Sequence, residues 1–253
     1  VTTGHQLCVL GGPLYFFLKI IHVIKLSERL NEHYPNQHFI PVFWMASEDH
    51  DHAEVDHLNL FNKTFQWNHE QKGPVGRFTT KNLSSLFDEV SMLFKDDRLN
   101  ELQHVFDSFQ GETYGEAFMN WLHGLFSEKG LVIIDGDQSE LKQSFTPLME
   151  KELTHEFSNQ EIQAVNQKLT HQKRKIQLHS REINLFYMDG NERTRIVKKG
   201  NDYVIGSQKM NLQDTVKHLE EYPEKFSPNA ALRPLYQEHL LPNLCYVGGM
   251  AEM

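Results

Sequence analysis

From Glu48 to His57 nearly every side chain can bind a proton or a cation: Glu48, Asp49, His50, Asp51, His52, Glu54, Asp56 and His57. An apolar run over residues 38–45 stops directly in front of them. A histidine flanked by carboxylates has the makeup of a general base. One carboxylate fixes the imidazole tautomer and stabilises the imidazolium once the proton has moved, an effect of roughly 10²- to 10⁴-fold in rate. His50 is accordingly the candidate base, and Asp49, Asp51 and Glu48 are the carboxylates that can serve it.

The same residues admit a metal-based reading. His50-x-His52 followed by Asp56-His57 is similar to the close histidines and aspartate of binuclear metallohydrolases, with the Asp-His pair two residues too far along. A metal-dependent hydrolase built on His50, His52, Asp56 and His57 is therefore an alternative function, while no metal ligand is assigned to the candidate site itself.

Three other stretches offer groups to a ligand. Gly4-His5-Gln6 and Gly11-Gly12-Pro13 bracket a loop that opens onto a helix N-terminus, where backbone N–H groups and the helix dipole favour an anion. Gly4, His5, Gln6, Gly11, Gly12 and Pro13 are candidate contacts to phosphate or carboxylate, with a tight turn as the alternative. The pattern is neither a dinucleotide fingerprint nor a Walker loop. Cys8 in this loop reads as a packed small residue. Asn229 and Arg233, four apart at the start of an expected helix, share a face, and a guanidinium grips a carboxylate through two parallel hydrogen bonds. Gly248, Gly249 and Glu252 form a last candidate ligand loop.

These residues need elements to position them. Residues 1–3 read as the end of a strand, and Pro13 suits the first helical position. Residues 14–30 are apolar nearly all round, as in a buried helix. Their polar stripe of Lys19, His22, Lys25 and Arg29 reads as facing solvent or the insertion, without chemistry. Residues 38–45 form a strand of the kind buried on both faces, with Pro41 as a local objection.

Strand, loop, helix and strand in that order make a right-handed βαβ unit. Ligands bind beyond the carboxyl ends of such parallel strands, which is where Gly4 to Gln6 and Ser47 to Glu54 fall. Residues 131–137 are a second buried-type strand ending in Asp135, and residues 244–247 a third ending at Gly248. Between them lie a hairpin or irregular β segment over 58–80, two helices over 82–110 broken near Asp96-Asp97, and a helix over 114–128. The fold class is α/β: a Rossmann-like parallel sheet core with an inserted helical and small antiparallel β connecting region. The expected division is 1–137 for the first part of the core, 138–226 for a helical arm plus a β meander with a turn at Asp189-Gly190-Asn191, and 227–253 for the return to the core.

Length and composition set outer bounds. A chain of 253 residues supports one sizeable core with an insertion, or two small domains. The net charge of −9 opposes general nucleic-acid binding, which needs a cationic surface. No apolar stretch reaches the roughly 18 to 20 residues of a membrane span. Two cysteines, Cys8 and Cys245, make no disulfide framework, so a cytoplasmic setting is expected. The chain starts without Met inside a strand and stops just after Gly-Gly, which reads as a fragment of a longer protein.

Eight motifs then stand in order along the chain: Thr3-Gly4-His5-Gln6, Gly11-Gly12-Pro13-Leu14-Tyr15, Pro41-Val42-Phe43-Trp44, Glu48-Asp49-His50-Asp51, Arg181-Glu182-Ile183-Asn184-Leu185-Phe186-Tyr187, Ser227-Pro228-Asn229, Leu232-Arg233-Pro234 and Tyr246-Val247-Gly248-Gly249. Together they resemble the cysteine-adding enzymes, or cysteine ligases, of bacillithiol biosynthesis. The resemblance implies a Rossmann-like core related to nucleotidyltransferases and class I tRNA synthetases. It also implies a longer protein that forms a homodimer through a carboxy-terminal coiled coil.

The implied reaction joins the carboxylate of cysteine to the amine of glucosaminyl malate. Activation of that carboxylate makes ATP or another nucleotide, with its Mg²⁺, the implied cofactor. In this picture His50, held by Asp49 or Asp51, deprotonates the amine. His5 and the loop from Gly4 to Pro13 contact phosphate or carboxylate, and Arg233 suits the malate carboxylates. A non-catalytic nucleotide- or ligand-binding module is the remaining alternative.

Overall fold

A computed structural model describes residues 1–94, 97–190 and 192–249. The chain divides into two units, Val1–Gly136 with Asn243–Met253, and Asp137–Pro242. The expected helix break at Asp96, the turn residue Asn191 and the loop residue Glu252 lie outside the described residues.

The first unit contains β1 (Thr2–His5), α1 (Leu14–His33), β2 (Val42–Met45), β3 (His57–Leu60), β4 (Lys63–Gln66), α2 (Leu83–Ser91), α3 (Asp97–Ser108), α4 (Tyr114–Phe126) and β5 (Val132–Asp135). Strands β1, β2 and β5 form a parallel sheet with β2 in the middle, as the apolar run before the acids required. All four residues of β2 are buried. Pro41 falls just outside the strand, so its missing N–H costs the ladder nothing, while its carbonyl still accepts from Val132.

Register aligns His5, Met45 and Asp135 at one edge of the sheet. Helix α1 buries Phe16, Ile20, Val23 and Ile24. Phe16 meets Phe43 of β2 and Phe118 and Trp121 of α4 at ring-centroid distances of 5.5, 5.9 and 6.2 Å. Each such ring removes a large apolar area from water, about 1.5–3 kcal/mol per side chain. Helix α4 starts where the sequence places it because Thr113 and Glu116 close a capping box.

Two expectations change here. Lys19 does not belong with the exposed His22, Lys25 and Arg29: it is 6% exposed, and its Nζ donates to the Gly4 carbonyl at 2.6 Å. A long side chain on an apolar helix face can reach a strand-end carbonyl, which periodicity alone does not reveal. Residues 244–247 do not form a full strand either. Tyr246 makes a single parallel bridge to Thr2, supported by Thr2 N–H to the Cys245 carbonyl and Val247 N–H to the Thr2 carbonyl. The expected hairpin after the acidic run is β3 paired with β4.

The second unit contains α5 (Ser139–His155), α6 (Phe157–His171), β6 (Leu185–Asp189), β7 (Glu192–Arg195), β8 (Val197–Lys199), β9 (Asp202–Ile205), β10 (Gln208–Asn211), α7 (Leu212–Glu221), β11 (Phe226–Pro228) and α8 (Arg233–Leu240). The expected single meander is two antiparallel sheets, in the orders β11-β6-β7 and β8-β9-β10. The return to the first unit falls at Asn243 rather than at Ser227. The reason is local pairing: Phe226 to Pro228 extend the sheet through β6, and Tyr236 of α8 packs its ring 4.8 Å from Phe145 of α5.

Glu152 anchors this unit. It is fully buried, yet its carboxylate accepts from Ser158 N–H at 3.1 Å, Ser158 Oγ at 2.7 Å, Asn184 N–H at 2.9 Å and Asn184 Nδ2 at 3.2 Å. These bonds tie α5, the start of α6 and the segment entering β6 to one point. Each buried donor that loses its acceptor costs about 1–3 kcal/mol. Glu152→Ala is therefore expected to lower the unfolding free energy by at least about 3 kcal/mol in urea titrations, and a loss below about 1 kcal/mol would contradict this anchoring role.

Candidate functional site

The carboxyl edge of the parallel sheet is built from the loops after β1 and β2. Ala46 N–H donates to the His5 carbonyl at 3.1 Å, and the Ser47 hydroxyl, 1% exposed, donates to Asp135 at the end of β5. All three strand ends are thus linked side by side. Beyond them Gln6 Nε2 donates to Asp49 Oδ2 and to Glu54 Oε2, both at 2.7 Å. One amide group holds two carboxylates and offsets part of their mutual repulsion.

Asp49 is further engaged through Oδ1, which accepts the N–H of His50 at 2.7 Å and of Asp51 at 3.3 Å. His50 Nδ1 lies 3.7 Å from the same oxygen, with half of the His50 side chain exposed. Asp49 therefore shapes the loop that presents His50, and His50 is the group that solvent and a ligand can reach. Glu48 is half-buried and Asp51 exposed.

The glycine-bearing loop differs from an anion cradle. The N–H groups of Gly11 and Gly12 donate inward, to Cys8 and Val9 carbonyls at 2.9 and 3.0 Å. Gly12 has φ 62°, and a Cβ there would sit 2.6 Å from the Cys8 Cβ, so glycine serves the turn itself. These amides do not fit the phosphates of a nucleotide, and Gly11, Gly12 and Pro13 act as architecture for the start of α1. Cys8 is buried, and desolvation, with Glu54 nearby, pushes its thiol up to about 11. It stays protonated at neutral pH, matching the reading of a packed residue.

His5 is held between Tyr15 and the backbone. Its Nδ1 lies 3.0 Å from the Gln6 carbonyl and its Nε2 2.9 Å from the Tyr15 hydroxyl, and its ring meets Phe16 edge-on. Gly4, the residue before it, approaches Trp44 closely enough that a Cβ would meet that residue's carbonyl oxygen at 3.0 Å. Gly248 and Gly249 follow Val247, whose carbonyl accepts from the Thr3 hydroxyl at 2.7 Å. The motif's last segment thus runs alongside β1.

The possible metal ligands diverge. His57 Nδ1 faces Asp56 Oδ1 at 3.2 Å, His52 packs on His69 with centroids 5.5 Å apart, and His50 faces Asp49. Among the described residues no three His, Cys, Asp or Glu side chains converge to hold a metal ion. Among the described residues the hydrolase alternative therefore has no converged ligand set. Asn229 and Arg233 lie in the second unit. Asn229 precedes α8 instead of sharing its face with Arg233, because its Oδ1 accepts the N–H groups of Ala231 and Leu232 in a turn. Its Nδ2 donates to Asn184 Oδ1 at 2.9 Å, so its amide is engaged in the fold. Arg233 Nη1 donates to Gln237 Oε1 at 3.2 Å.

Sequence reading missed three participants at or beside the edge: Lys19, Tyr15 and the segment carrying His69. That segment meets the loop after β2 through Val75 N–H to the Asp49 carbonyl at 2.7 Å and Gly76 N–H to the Ser47 carbonyl at 2.8 Å. The spacing of Trp67, His69 and Phe78 carries no signal for this contact, although Gly73 next to Pro74 marks a turn. His69 lies between Trp67 and Phe78, at 4.6 and 4.9 Å. Its Nδ1 accepts from Gln71 N–H at 3.2 Å, and its Nε2 is buried without a partner among the described residues.

Burial, then the neighbouring His52, hold the His69 pKa below the ordinary imidazole value, with Asp56 opposing them. The unfolded chain therefore takes up this proton more readily than the folded one. The stability this creates is complete above the unfolded pKa of about 6.5 and is lost as pH falls through that value toward the lower folded one. Between pH 7.5 and 5.5 the wild type is expected to lose more stability in denaturant titrations than His69→Phe, which keeps the ring and removes the titration. Equal losses would contradict it.

An open α/β sheet whose strand-end loops carry a carboxylate-flanked histidine is a Rossmann-like protein with a candidate site at that edge. The family description "Bacillithiol biosynthesis BshC, N-terminal Rossmann-like domain" matches residues 1–253, and the chain belongs to that family. It is 41% identical over 258 residues to a protein of Flavobacterium johnsoniae named "Putative cysteine ligase BshC". Proteins of the same name from Cytophaga hutchinsonii and Flavobacterium psychrophilum are each 40% identical to it. Each match covers 100% of this chain and 48% of the relative, so the chain spans about half the length of the curated relatives it matches. No helix among the described residues is long and apolar enough to cross a membrane.

Proposed function

We propose that this chain forms the core of a ligase that adds cysteine to the amine of glucosaminyl malate to give bacillithiol. Family membership supports the reaction class. The observation that carries the site is the carboxyl edge of the sheet, where Gln6 gathers Asp49 and Glu54 and the loop they shape presents His50.

Amide formation from a carboxylate requires that the carboxyl group first be activated. The amine nitrogen then attacks the activated carbonyl carbon, the leaving group departs with the bonding electrons, and the nitrogen sheds a proton. His50 is the acceptor of that proton. Asp49 sits 3.7 Å from its Nδ1 and stabilises the imidazolium. Glu54 and Asp51 keep the edge negative, which suits a substrate that arrives as an ammonium ion. That substrate gives its first proton to solvent and attacks as the free amine, so that the proton passed to His50 is the one shed after attack. The activating group is assigned no contact, since Gly11 and Gly12 turn their amides inward.

The test uses full-length protein with cysteine and glucosaminyl malate, with and without Mg²⁺ and each candidate nucleotide in turn, following the product by mass. Product formation in one arm identifies the activator; no product in any arm would defeat the proposal. In the productive arm His50→Asn is expected to slow formation by at least about 100-fold. Near-normal turnover by a folded variant would remove His50 from the base role. Gln6→Leu frees two carboxylates from their common donor and is expected to lower turnover by about tenfold, with recovery in Gln6→Asn excluded by its shorter reach.

A further inference from the structure

The loop after β2 is held from the side by two backbone donors, Val75 N–H to the Asp49 carbonyl and Gly76 N–H to the Ser47 carbonyl. The segment that carries them is closed by two polar side chains. Gln71 spans to its far end, with Nε2 donating to the Thr79 carbonyl at 3.0 Å and Oε1 accepting Thr79 N–H at 2.7 Å. His69 fixes Gln71 in turn, because its Nδ1 lies 3.2 Å from Gln71 N–H.

A backbone N–H can only donate, so Nδ1 is the acceptor and the proton of the neutral ring sits on Nε2. Nε2 is buried and has no hydrogen-bond partner among the described residues. The one polar bond that places this ring is therefore the one to Gln71. Trp67 and Phe78 enclose the ring without charge, and the titratable groups that face it are His52, 5.5 Å away between ring centroids, and Asp56. A second proton on the ring would take the Nδ1 lone pair and leave two donors facing each other across the contact with Gln71.

We propose that His69 is a positioning residue for His50. By accepting Gln71 N–H it keeps the segment in the conformation that hydrogen-bonds the backbone of Ser47 and Asp49, and Asp49 shapes the loop that presents His50. Only the consequence for turnover rests on the ligase reading. Burial and His52 disfavour the second proton in the closed segment. An opened segment takes it up more readily, so the hold on the loop weakens as pH falls through the ordinary imidazole value of about 6.5.

Hydrogen exchange of full-length protein at the Val75 and Gly76 amides reads this hold without substrate. His69→Asn keeps an acceptor near the Nδ1 position and loses the ring, whereas His69→Phe keeps the ring and loses the acceptor. At pH 7.5 both amides are expected to be at least about threefold better protected in His69→Asn than in His69→Phe. Equal protection or the reverse order is what packing alone gives, and either would overturn the proposal. The wild type supplies an arm that needs no variant. After correction for intrinsic exchange rates, protection at the two amides is expected to fall at least about threefold between pH 7.5 and 5.5, while the amides of β2 keep theirs. A smaller fall, or one shared equally by β2, would overturn it. In the ligation assay, wild-type kcat is expected to drop over the same interval by at least about threefold more than that of His69→Asn, with KM moving alike in both. Equal drops would overturn the positioning role and leave the ligase reading intact. Absence of product from the wild type would defeat the ligase reading alone, since exchange decides the role of His69 by itself.

Discussion

Gln6 Nε2 bridges the loops that follow two neighbouring strands, donating at 2.7 Å to Asp49 and to Glu54. Two carboxylates sharing one amide group lie near each other, and without that donor their repulsion would drive the loop after β2 outward. The bridge depends on register. Alignment of His5 with Met45 brings Gln6 to the height of residues 46–49, and a slip by one residue would turn its side chain to the opposite face. Parallel pairing in the sheet is thus what gathers the acid and histidine cluster around Gln6, because it sets the distance across which one amide must reach.

Support for this edge comes from below and from the side. Lys19 reaches from α1 to the Gly4 carbonyl, which pins the end of β1 against the helix. Gly76 packs against Ser47 so closely that a Cβ would come within 2.6 Å of the serine Cβ. That approach allows the segment around His69 to hydrogen-bond the backbone of the loop that bears Asp49. The second unit uses the same device in a drier setting. Glu152 is buried with several N–H and O–H donors around it, and Asn184 links that carboxylate to Asn229. Asn229, which reads as a ligand contact, is in that unit bonded to another motif residue, Asn184.

Much of the framework was legible in the sequence. The uninterrupted apolar run before the acids marks a strand buried on both faces, the Thr113 to Glu116 spacing marks a helix start, and the order of strand, helix and strand compels a parallel crossover with the acids at its ligand-binding edge. These signals are local, and each is written in neighbouring residues. Other expectations gave way where a local pattern has more than one outcome. Tyr246 makes one bridge where a full strand was expected, Asn229 forms a turn ahead of its helix, and residues 227–242 stay with the second unit.

The sequence by itself determined the fold class, the family, and the placing of His50 among carboxylates at a strand end, since hydrophobic period and charge clustering depend on residues close together in the chain. Only the tertiary structure decided which polar atoms meet. Gln6 finds Asp49 and Glu54 across 43 and 48 positions, Lys19 finds Gly4 across 15, and Asn229 finds Asn184 across 45. Tyr15 finds His5 across 10 positions. A hydrogen bond is specified by the separation and angle of two groups in space, and no spacing along the chain encodes either.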